Sequence, residues 1–362
     1  MTKVLLGDVA HEHKESCKGS KDGYPIVGLE HLTPEEITLT TWDEGIDTSF
    51  TKVFRKGNVL FGRRRAYLKK AVVAPFDGIC SGDIIVIEAD PEKVLPELLP
   101  FIIQNDDLFD FAVGKSAGSL SPRVKWENLK NYEFELPEMD KQRELAELLW
   151  SFDDTKKSYQ DLIKSIDELT KSQFVEMFAS TPKGKLGDIA FITMGQSPSG
   201  KSYNEKGEGT PFYQGKTEFR DLYIGDAVNW TTEPTRFAEE NDVLMSVRAP
   251  VGSTNIATQK CCIGRGLAGI KPIESKSTTM FILYSMRSIE EEIGDMGVGS
   301  TFKAINKKQV HELPIPLANP QQQAMFVELA EQSDKSKLEI EKALQELNAT
   351  FKRIVKETLV RQ

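Results

Sequence analysis

The motif Leu6-Gly7-Asp8-Val9-Ala10 returns in the second half of the chain as Leu186-Gly187-Asp188-Ile189-Ala190. At nearly the same offset, Asn58-Val59-Leu60-Phe61-Gly62-Arg63-Arg64 returns as Asp242-Val243-Leu244-Met245-Ser246-Val247-Arg248. Matches that keep one offset indicate an internal duplication, in which each copy is one structural unit. A protein with two copies of a unit is suited to contact two similar sites at a fixed separation, as on a duplex with two half-sites.

Each copy is followed by a long pattern typical of a helix, with a glutamine at the same place, Gln142 and then Gln323. Apolar residues at alternating steps of three and four predict a coiled-coil seam. The predicted seam residues are Leu145, Leu148, Phe152, Thr155, Tyr159, Leu162, Ile166 and Leu169 in the first helix, and Ile340, Leu344, Leu347, Phe351 and Ile354 in the second. The second seam is weaker at its front, where Ser333 and Lys337 are polar.

Two amphipathic helices, each packed on its own copy, would also explain these patterns. The duplication favours pairing of the helices with each other, and antiparallel pairing would place the two copies at opposite ends of a rod. Short β-type runs such as Ile84-Ile85-Val86-Ile87 lie between helical segments in each copy. We therefore predict an α+β fold with two similar domains, at residues 1–137 and 181–318, separated by two long helices, at residues 138–180 and 319–362, that form an antiparallel coiled coil.

The composition is that of a folded protein with ordinary cores. Of 362 residues, 39% are hydrophobic and 9% aromatic, and four cysteines show no CxxC spacing. No stretch approaches the ~20 apolar residues of a membrane span, and the N-terminus lacks the apolar region of a signal peptide. A reduced cytoplasmic protein without a metal site is expected. Because the net charge is −9 and no segment is basic overall, DNA binding must rest on local patches, and basic partner subunits would assist it.

The sequence gives no convincing signature of a catalytic site. The glycine spacings GxxxxGKS, at residues 195–202, and GxGxxG, at residues 264–269, occur in the sequence, but neither lies between a predicted strand and a predicted helix, as a nucleotide-binding loop requires. The aromatic Pro-Pro tetrapeptide of adenine methyltransferases is absent, and the four histidines suggest no Ser-His-Asp or Cys-His arrangement. We therefore interpret the chain as non-catalytic and without a cofactor of its own.

Candidate DNA contacts lie in loops that are rich in Arg, Lys, Gln and small hydroxyl residues. Arginine suits bidentate contact with guanine and phosphate, glutamine can read adenine, and lysine can hold phosphate. The candidates are Arg63, Arg64, Arg65, Lys69, Ser121, Arg123, Lys125, Gln196, Ser199, Lys201, Tyr213, Gln214, Lys216, Thr217, Arg248 and Lys303. A solvated surface, a polar turn or a helix-entry turn would explain each loop separately. The recurrence of one arginine after the same strand motif, Arg64 and Arg248, favours the DNA interpretation.

At these residues the sequence resembles the DNA-specificity subunit of Type I restriction–modification systems. The resemblance is carried by the unit–helix–unit–helix order and by several motifs over essentially the whole chain. These are Tyr24-Pro25-Ile26-Val27-Gly28-Leu29-Glu30-His31-Leu32, Asn58-Val59-Leu60-Phe61-Gly62-Arg63-Arg64-Arg65-Ala66-Tyr67-Leu68, Asp77-Gly78-Ile79-Cys80-Ser81-Gly82-Asp83-Ile84, Gly195-Gln196-Ser197-Pro198-Ser199, Pro211-Phe212-Tyr213-Gln214-Gly215-Lys216, and Leu136-Pro137 before a helix start with Gln142.

The resemblance implies two target-recognition domains, each reading one half of a split DNA target in the major groove. It also implies helical spacers that bind two methyltransferase subunits, with S-adenosylmethionine bound in those subunits, and restriction–translocase subunits that join for cleavage. One departure concerns the start of the second helix, where Asn319-Pro320-Gln321-Gln322-Gln323 replaces Glu138-Met139-Asp140-Lys141-Gln142, so the two subunit contacts need not be equivalent. A stand-alone two-headed DNA-binding protein and a coiled-coil scaffold that binds only proteins remain alternatives.

Overall fold

A computed structural model describes residues 2–45, 47–297 and 304–359, and their tertiary contacts divide the chain into two units. Unit 1 comprises Met1–Asp161 and Glu341–Gln362, and unit 2 comprises Leu162–Ile340. The two long helices therefore each contribute one part to each unit. The domain boundaries inferred from the sequence after residues 137, 180 and 318 follow the change from strand to helix patterns and remain predictions.

Unit 1 combines short strands with helices that pack on one side of them. Its strands are β1 (Thr2–Leu5), β2 (Ala10–Glu12), β3 (Glu15–Ser16), β4 (Ile26–Val27), β5 (Lys52–Phe54), β6 (Val59–Gly62), β7 (Ala71–Val73), β8 (Gly78–Cys80), β9 (Ile84–Ala89) and β10 (Glu133–Leu136). Its helices are α1 (Leu6–Val9), α2 (Leu99–Ile103), α3 (Asp106–Gly114), α4 (Trp126–Leu129) and the first part of α5 (Met139–Phe178), and a 3₁₀ turn spans Ala66–Leu68. The predicted mixture of strands and helices is confirmed.

Unit 2 has a similar order of elements, with one more described strand and an earlier 3₁₀ turn. Its strands are β11 (Lys183–Lys185), β12 (Ala190–Met194), β13 (Tyr203–Asn204), β14 (Thr210–Tyr213), β15 (Asn229–Thr231), β16 (Phe237–Ala238), β17 (Val243–Ser246), β18 (Thr254–Ile256), β19 (Cys261–Ile263), β20 (Leu267–Pro272) and β21 (Pro314–Pro316). Its helices are α6 (Leu186–Ile189), α7 (Thr279–Arg287), α8 (Glu290–Asp295), α9 (Lys307–His311) and the first part of α10 (Pro320–Leu359), and a 3₁₀ turn spans Gly200–Ser202.

The strand order shows that the duplication is structural. One sheet of unit 1 has the order β2-β9-β6-β7, and its counterpart in unit 2 has the order β12-β20-β17-β18. The second sheet of each unit contains a parallel pair, β4 with β8 and β14 with β19. The first strand of each unit pairs antiparallel with the strand that precedes the long helix, β1 with β10 and β11 with β21. Both copies of the sequence motif therefore fold in the same way.

Strand β6 illustrates why these apolar runs become central strands. Val59 and Phe61 belong to the core beneath the helices, whereas Leu60 belongs to the core between the two sheets. Strand β17 repeats the arrangement, with Val243 and Met245 in one core and Leu244 in the other. Successive side chains of a strand point to opposite faces, so a strand between two cores must be apolar throughout. The residues that follow each strand are consequently carried on a rigid support.

The glutamine shared by the two helices connects each helix start to its own unit. The Gln142 amide nitrogen donates to the Pro137 carbonyl at 2.9 Å, and its oxygen accepts from the Leu95 backbone at 2.8 Å. Gln323 likewise donates to the carbonyls of Ala318 at 2.9 Å and Lys276 at 2.8 Å. Both side chains are buried, and a buried amide needs such partners to offset its desolvation. The recurring glutamine therefore has a structural role at the junction of sheet and helix.

Helices α5 and α10 pair antiparallel, as unit 2 alone shows. Asp167 contacts Lys337, and Phe174, further along α5, packs against Phe326, which comes earlier in α10, with ring centroids 4.9 Å apart. Within unit 1 the same two helices meet at Phe152 and Phe351. The predicted antiparallel coiled coil is thereby confirmed.

The predicted seam of α5 is wrong in part, because Leu148, Leu162 and Leu169 are exposed by 46%, 46% and 59%. Besides Gln142 and the seam residue Leu145, the side chains that α5 buries are Ala146, Leu149, Asp153, Thr170, Phe174 and Phe178. Several of them join the cores of the globular parts of their own units. The buried stripe of α5 therefore packs against the sheet domains as well as against α10. It lies beside the face that the periodicity predicted.

Lys337 fills one of the polar positions in the predicted seam of α10 with an ion pair. Its side chain is only 3% exposed, and its ammonium lies 2.5 Å from carboxylate oxygens of both Asp167 and Asp221. Burial lowers the pKa of Lys337, but hydrogen bonds and charges from the two aspartates raise it by more than burial lowers it. The pKa of Lys337 therefore lies above the usual value. A polar residue is tolerated in this seam because both neighbours neutralise it.

We expect Lys337→Met to lower the free energy of unfolding of unit 2 by about 1–3 kcal/mol. The expected loss is smaller than for a fully buried ion pair, because both aspartates are half exposed. The substitution leaves two unpaired carboxylates beside Asp334, whose own pKa is raised by burial. The measurement is the urea midpoint of unfolding of the full chain. Lys335→Met, at an exposed position of the same helix, is the control. An equal effect of both variants would contradict a specific role for the ion pair.

Candidate nucleic-acid interface

The loop that follows β6 is joined to a second loop predicted from the sequence. Arg64 and Arg123 form an antiparallel backbone bridge, and the Arg65 amide donates to the Pro122 carbonyl at 2.8 Å. Ser121 accepts a hydrogen bond of 2.6 Å from Arg64 Nε. The structure therefore brings together two candidate groups that are far apart in sequence, residues 63–65 and 121–125.

A carboxylate that the sequence analysis missed lies among these arginines. Asp83, in the turn between β8 and β9, accepts from Arg123 Nε at 2.7 Å, and its other oxygen lies 3.5 Å from Arg64 Nη1. The hydrogen bond from Arg123, followed by the charges of Arg123, Arg64 and Arg63, lowers the pKa of Asp83. This carboxylate is therefore ionised at neutral pH and offsets part of the positive charge of the loop. No local sequence signal marks it, because its partner lies forty residues away.

The outer surface of this loop cluster combines basic and apolar side chains. Arg65, Arg123 and Lys125 are exposed. Leu120, at the tip of the second loop, is 92% exposed, and Tyr67 is 55% exposed. Apolar and basic groups side by side suit contact with bases and phosphates together. The apolar members were not among the residues predicted from the sequence.

Lys69 lies in a different environment from the arginines. It adopts a left-handed backbone conformation with φ of 51°, and its ammonium lies 2.5 Å from Asp106. The pair borders a cavity of about 520 Å³ in unit 1, which Phe152 and Phe351 of the two long helices also line. Its predicted contact with DNA remains a prediction.

Arg248 occupies in unit 2 the position that Arg64 occupies in unit 1. The Val247 amide donates to the Gly266 carbonyl at 2.9 Å, just as the Arg63 amide donates to the Asp83 carbonyl at 3.0 Å. Arg248 then forms an antiparallel bridge with Ala304, as Arg64 does with Arg123. The guanidinium of Arg248 is exposed. The candidate Lys303, immediately before Ala304, lies outside the described residues.

A turn after β19 contacts two other candidates of unit 2, Gln196 and Gln214. The Gln196 amide donates to Ile263, and the Gly266 amide donates to the Gln214 carbonyl at 3.1 Å. A Cβ atom at Gly266 would lie 2.3 Å from that carbonyl oxygen, so only glycine permits the approach. Arg265, which the sequence analysis missed, stands exposed at the tip of this turn and contacts Ser197 Oγ at 3.3 and 3.4 Å. Its position between two glycines was the available signal.

Tyr213 is a correction to the predicted site. Its side chain is 1% exposed, its hydroxyl donates to the Gly225 carbonyl at 2.9 Å, and burial raises its pKa to about 12. A tyrosine in this setting supports the fold and has no surface for DNA. Its neighbours in the sequence remain candidates: Gln214, Lys216 and Thr217 are exposed, as are Gln196, Ser199 and Lys201.

Two further observations on the described part of the chain concern metal sites and membrane-spanning helices. No group of three or more His, Cys, Asp or Glu side chains is placed to hold a metal ion among these residues. None of the described helices is both long and apolar enough to cross a membrane.

Two copies of one α+β unit, each with an arginine loop after the same strand and a long helix behind it, define a duplicated two-domain protein. The family described as Type I restriction modification DNA specificity domain matches the chain twice, over residues 2–168 and 182–349. The chain therefore belongs to this family of specificity subunits, as its sequence motifs predicted.

Relatives and solved structures agree with this membership. A protein of Methanocaldococcus jannaschii with the provisional name of type I restriction enzyme MjaX specificity subunit is 30% identical, over 91% of this chain and 86% of its own length. The type I restriction enzyme EcoDI specificity subunit of Escherichia coli is 25% identical over 47% of this chain and 35% of its own length.

Among solved structures, a chain from a study of complex assembly and conformational transition of the type I R-M system has a TM-score of 0.63. It is 29% identical and covers 99% of this chain and 97% of its own. The S subunit of a Type-I restriction-modification system from M. genitalium has a TM-score of 0.56 at 14% identity, covers 100% of this chain and 96% of its own, and supports the fold alone.

Proposed function

We propose that this chain is the DNA-recognition subunit for a bipartite target, with each unit reading one half of it. The observation that carries the proposal is the equivalent placement of Arg64 and Arg248, each directly after a central strand and each bridged to a second loop. A scaffold that binds only proteins would have no need for matching arginine loops on both units. Arginine is the side chain best suited to read guanine in the major groove.

The chemistry of the site supports recognition and not catalysis by this chain. Its exposed polar groups are guanidiniums, lysine ammoniums, amides and hydroxyls, which bind bases and phosphates without transferring groups. We propose that methylation is carried out by two methyltransferase subunits, which would bind S-adenosylmethionine, and cleavage by restriction–translocase subunits, in the cytoplasm. The chain would direct both to the target.

Exposed apolar side chains on the long helices are the surface that we assign to the methyltransferase subunits. Within unit 2 these side chains are exposed by between 46% and 66%: Leu162, Leu169, Val175, Met325 and Leu338. Exposed apolar side chains of this size on long helices are candidates for contact with a protein partner. This assignment also accounts for the exposure of Leu162 and Leu169 in the predicted seam.

The test of the proposed function is co-expression of the chain with its methyltransferase partner, followed by genome-wide mapping of methylated bases. A split target sequence, methylated only when both proteins are present, is the expected result. Methylation without this chain, or at sites with no shared sequence, would contradict the proposal. Failure of the two proteins to co-purify, with the chain still binding DNA, would favour the stand-alone DNA-binding alternative.

We expect Arg64→Ala and Arg248→Ala each to relax only one half of the target. If each arginine makes a bidentate guanine contact, its loss should cost roughly 1–3 kcal/mol of discrimination at one base pair. A contact to phosphate alone would weaken binding uniformly and make its salt dependence shallower. The measurement is the methylation pattern of each variant, scored separately for the two half-sites. Relaxation of both halves by either single variant would refute the assignment of one unit to one half-site.

A further inference from the structure

Asp83 is an acidic residue in the middle of the surface assigned to DNA. Both of its carboxylate oxygens are engaged: Oδ1 accepts from Arg123 Nε at 2.7 Å, and Oδ2 lies 3.3 Å from Arg123 Nη2 and 3.5 Å from Arg64 Nη1. Its side chain is 22% exposed. We call this group of three residues the Asp83 clamp.

The backbone around Asp83 is held as firmly as its side chain. Its amide donates to Ser81 Oγ at 3.2 Å, and its carbonyl accepts from the Arg63 amide at 3.0 Å. Arg64 is restrained at a second point by Ser121. The carboxylate therefore cannot move away from the arginines without disturbing the end of β6 and the loop that carries Arg123.

A carboxylate in this place opposes DNA binding by simple charge. The carboxylate repels phosphate. It also neutralises part of the positive charge of the arginines, which would otherwise release counterions from the DNA on binding. The carboxylate instead restricts the conformations of Arg64 and Arg123. Their long side chains would otherwise sample many rotamers, and Asp83 holds them in one arrangement before DNA binds. A guanidinium has five N–H donors. Among the described residues, Nη2 of Arg64 and Nη1 of Arg123 make no hydrogen bond, so each arginine keeps donors for a base.

We propose that Asp83 is a positioning residue for the half-site read by unit 1. By holding Arg64 and Arg123 in one orientation, its carboxylate raises discrimination between target and non-target sequences, and it lowers affinity for DNA of any sequence. This inference rests on the proposed function and concerns the half-site of unit 1. The equivalent residue of unit 2 is Gly266, whose carbonyl makes the same backbone contact but which has no side chain.

The test compares Asp83→Asn with the wild-type chain in complex with its methyltransferase partner, on duplexes with and without the mapped target. Loss of the carboxylate charge weakens the restraint on both arginines, although Arg64 keeps its hydrogen bond to Ser121. We expect affinity for the non-target duplex to rise and its salt dependence to steepen by about 0.9 for each additional phosphate that the arginines neutralise. We expect the ratio of target to non-target affinity to fall roughly tenfold to a hundredfold, the range of a lost bidentate base contact. Relaxed positions should lie only in the half-site of unit 1.

Two further variants separate positioning from a general effect of charge or folding. Asp83→Glu retains the charge and should restore at least part of the ratio. Asp77→Asn removes the same charge from another arginine–aspartate pair of unit 1, since Asp77 lies 2.9 Å from Arg55, and should leave the ratio unchanged. A merely structural role of Asp83 would lower affinity for both duplexes and would not raise it for the non-target one.

The outcomes distinguish this inference from the function on which it rests. A wild-type complex without preference for any target would contradict the proposed function itself. A wild-type complex with clear preference, together with an unchanged ratio in Asp83→Asn, would overturn the positioning role. The same loss of ratio in Asp77→Asn would also overturn it, because the effect would then follow from net charge.

Discussion

Inserting two base pairs between the half-sites is expected to abolish methylation of the target. Each added base pair turns the second half-site by about 34° and moves it by about 3.4 Å along the duplex, so two of them change both its face and its distance. The two units belong to one chain and are connected by helices of 40 residues each. We propose that helices of this length cannot adjust to such a change as a flexible linker would.

The measurement is the extent of methylation of synthetic duplexes in which only the spacer varies. Duplexes whose spacer has a different base sequence but the original length serve as the control and should be methylated normally. We expect activity to fall below detection for the longer spacer, because neither half-site alone supplies the affinity of both. Equal methylation of the lengthened target would show that the two units do not read it together.

Phe326→Ala is expected to give the largest loss of stability among single substitutions in unit 2, about 3–5 kcal/mol. Phe326 is fully buried, and its ring centroid lies 4.9 Å from that of Phe174, 6.0 Å from that of Phe178 and 5.2 Å from that of Tyr284. The substitution opens a cavity where both long helices meet the helices of the globular part, and rigid neighbouring rings cannot close it.

The matched control for this substitution is Met325→Ala, because Met325 is the adjacent residue and is 66% exposed. Its replacement should change the unfolding free energy by less than about 0.5 kcal/mol. Urea unfolding of the full chain, followed by circular dichroism, measures both. Similar midpoints for the two variants would show that the aromatic cluster does not stabilise unit 2. Met325 also belongs to the proposed methyltransferase surface, so its variant should bind that partner less well while remaining folded.

Much of the fold could be predicted because short motifs that recur in the sequence indicate the duplication. Two equivalent strands were predicted because Asn58-Val59-Leu60-Phe61-Gly62 recurs as Asp242-Val243-Leu244-Met245-Ser246. The two strands pair in equivalent sheets. The periodicity that predicted two long helices was sufficient for their existence and for their antiparallel pairing. The same periodicity did not predict correctly which residues form the seam. Leu148 lies on a helix surface beside residues that pack on the sheet domain, and the spacing of apolar residues does not show which of two neighbouring faces is buried.

The candidate site shows the same division. Arg64 and Arg248 were found from the sequence because they follow a repeated motif. Tyr213 was misassigned because aromatic residues beside polar ones occur both at DNA surfaces and at the edges of cores, and only its burial separates the two. Arg265 was missed because a short turn between glycines has no periodic context.

The sequence by itself determined the duplication, the α+β units, the long helices and the family, because all of these depend on residues that are neighbours in the chain or repeat at a nearly constant offset. Only the tertiary structure decided which distant side chains meet. Asp83 reaches Arg123, and Lys337 reaches Asp167 and Asp221. Such contacts depend on how strands and helices pack, and packing is set by the summed burial of many side chains, which no local pattern records.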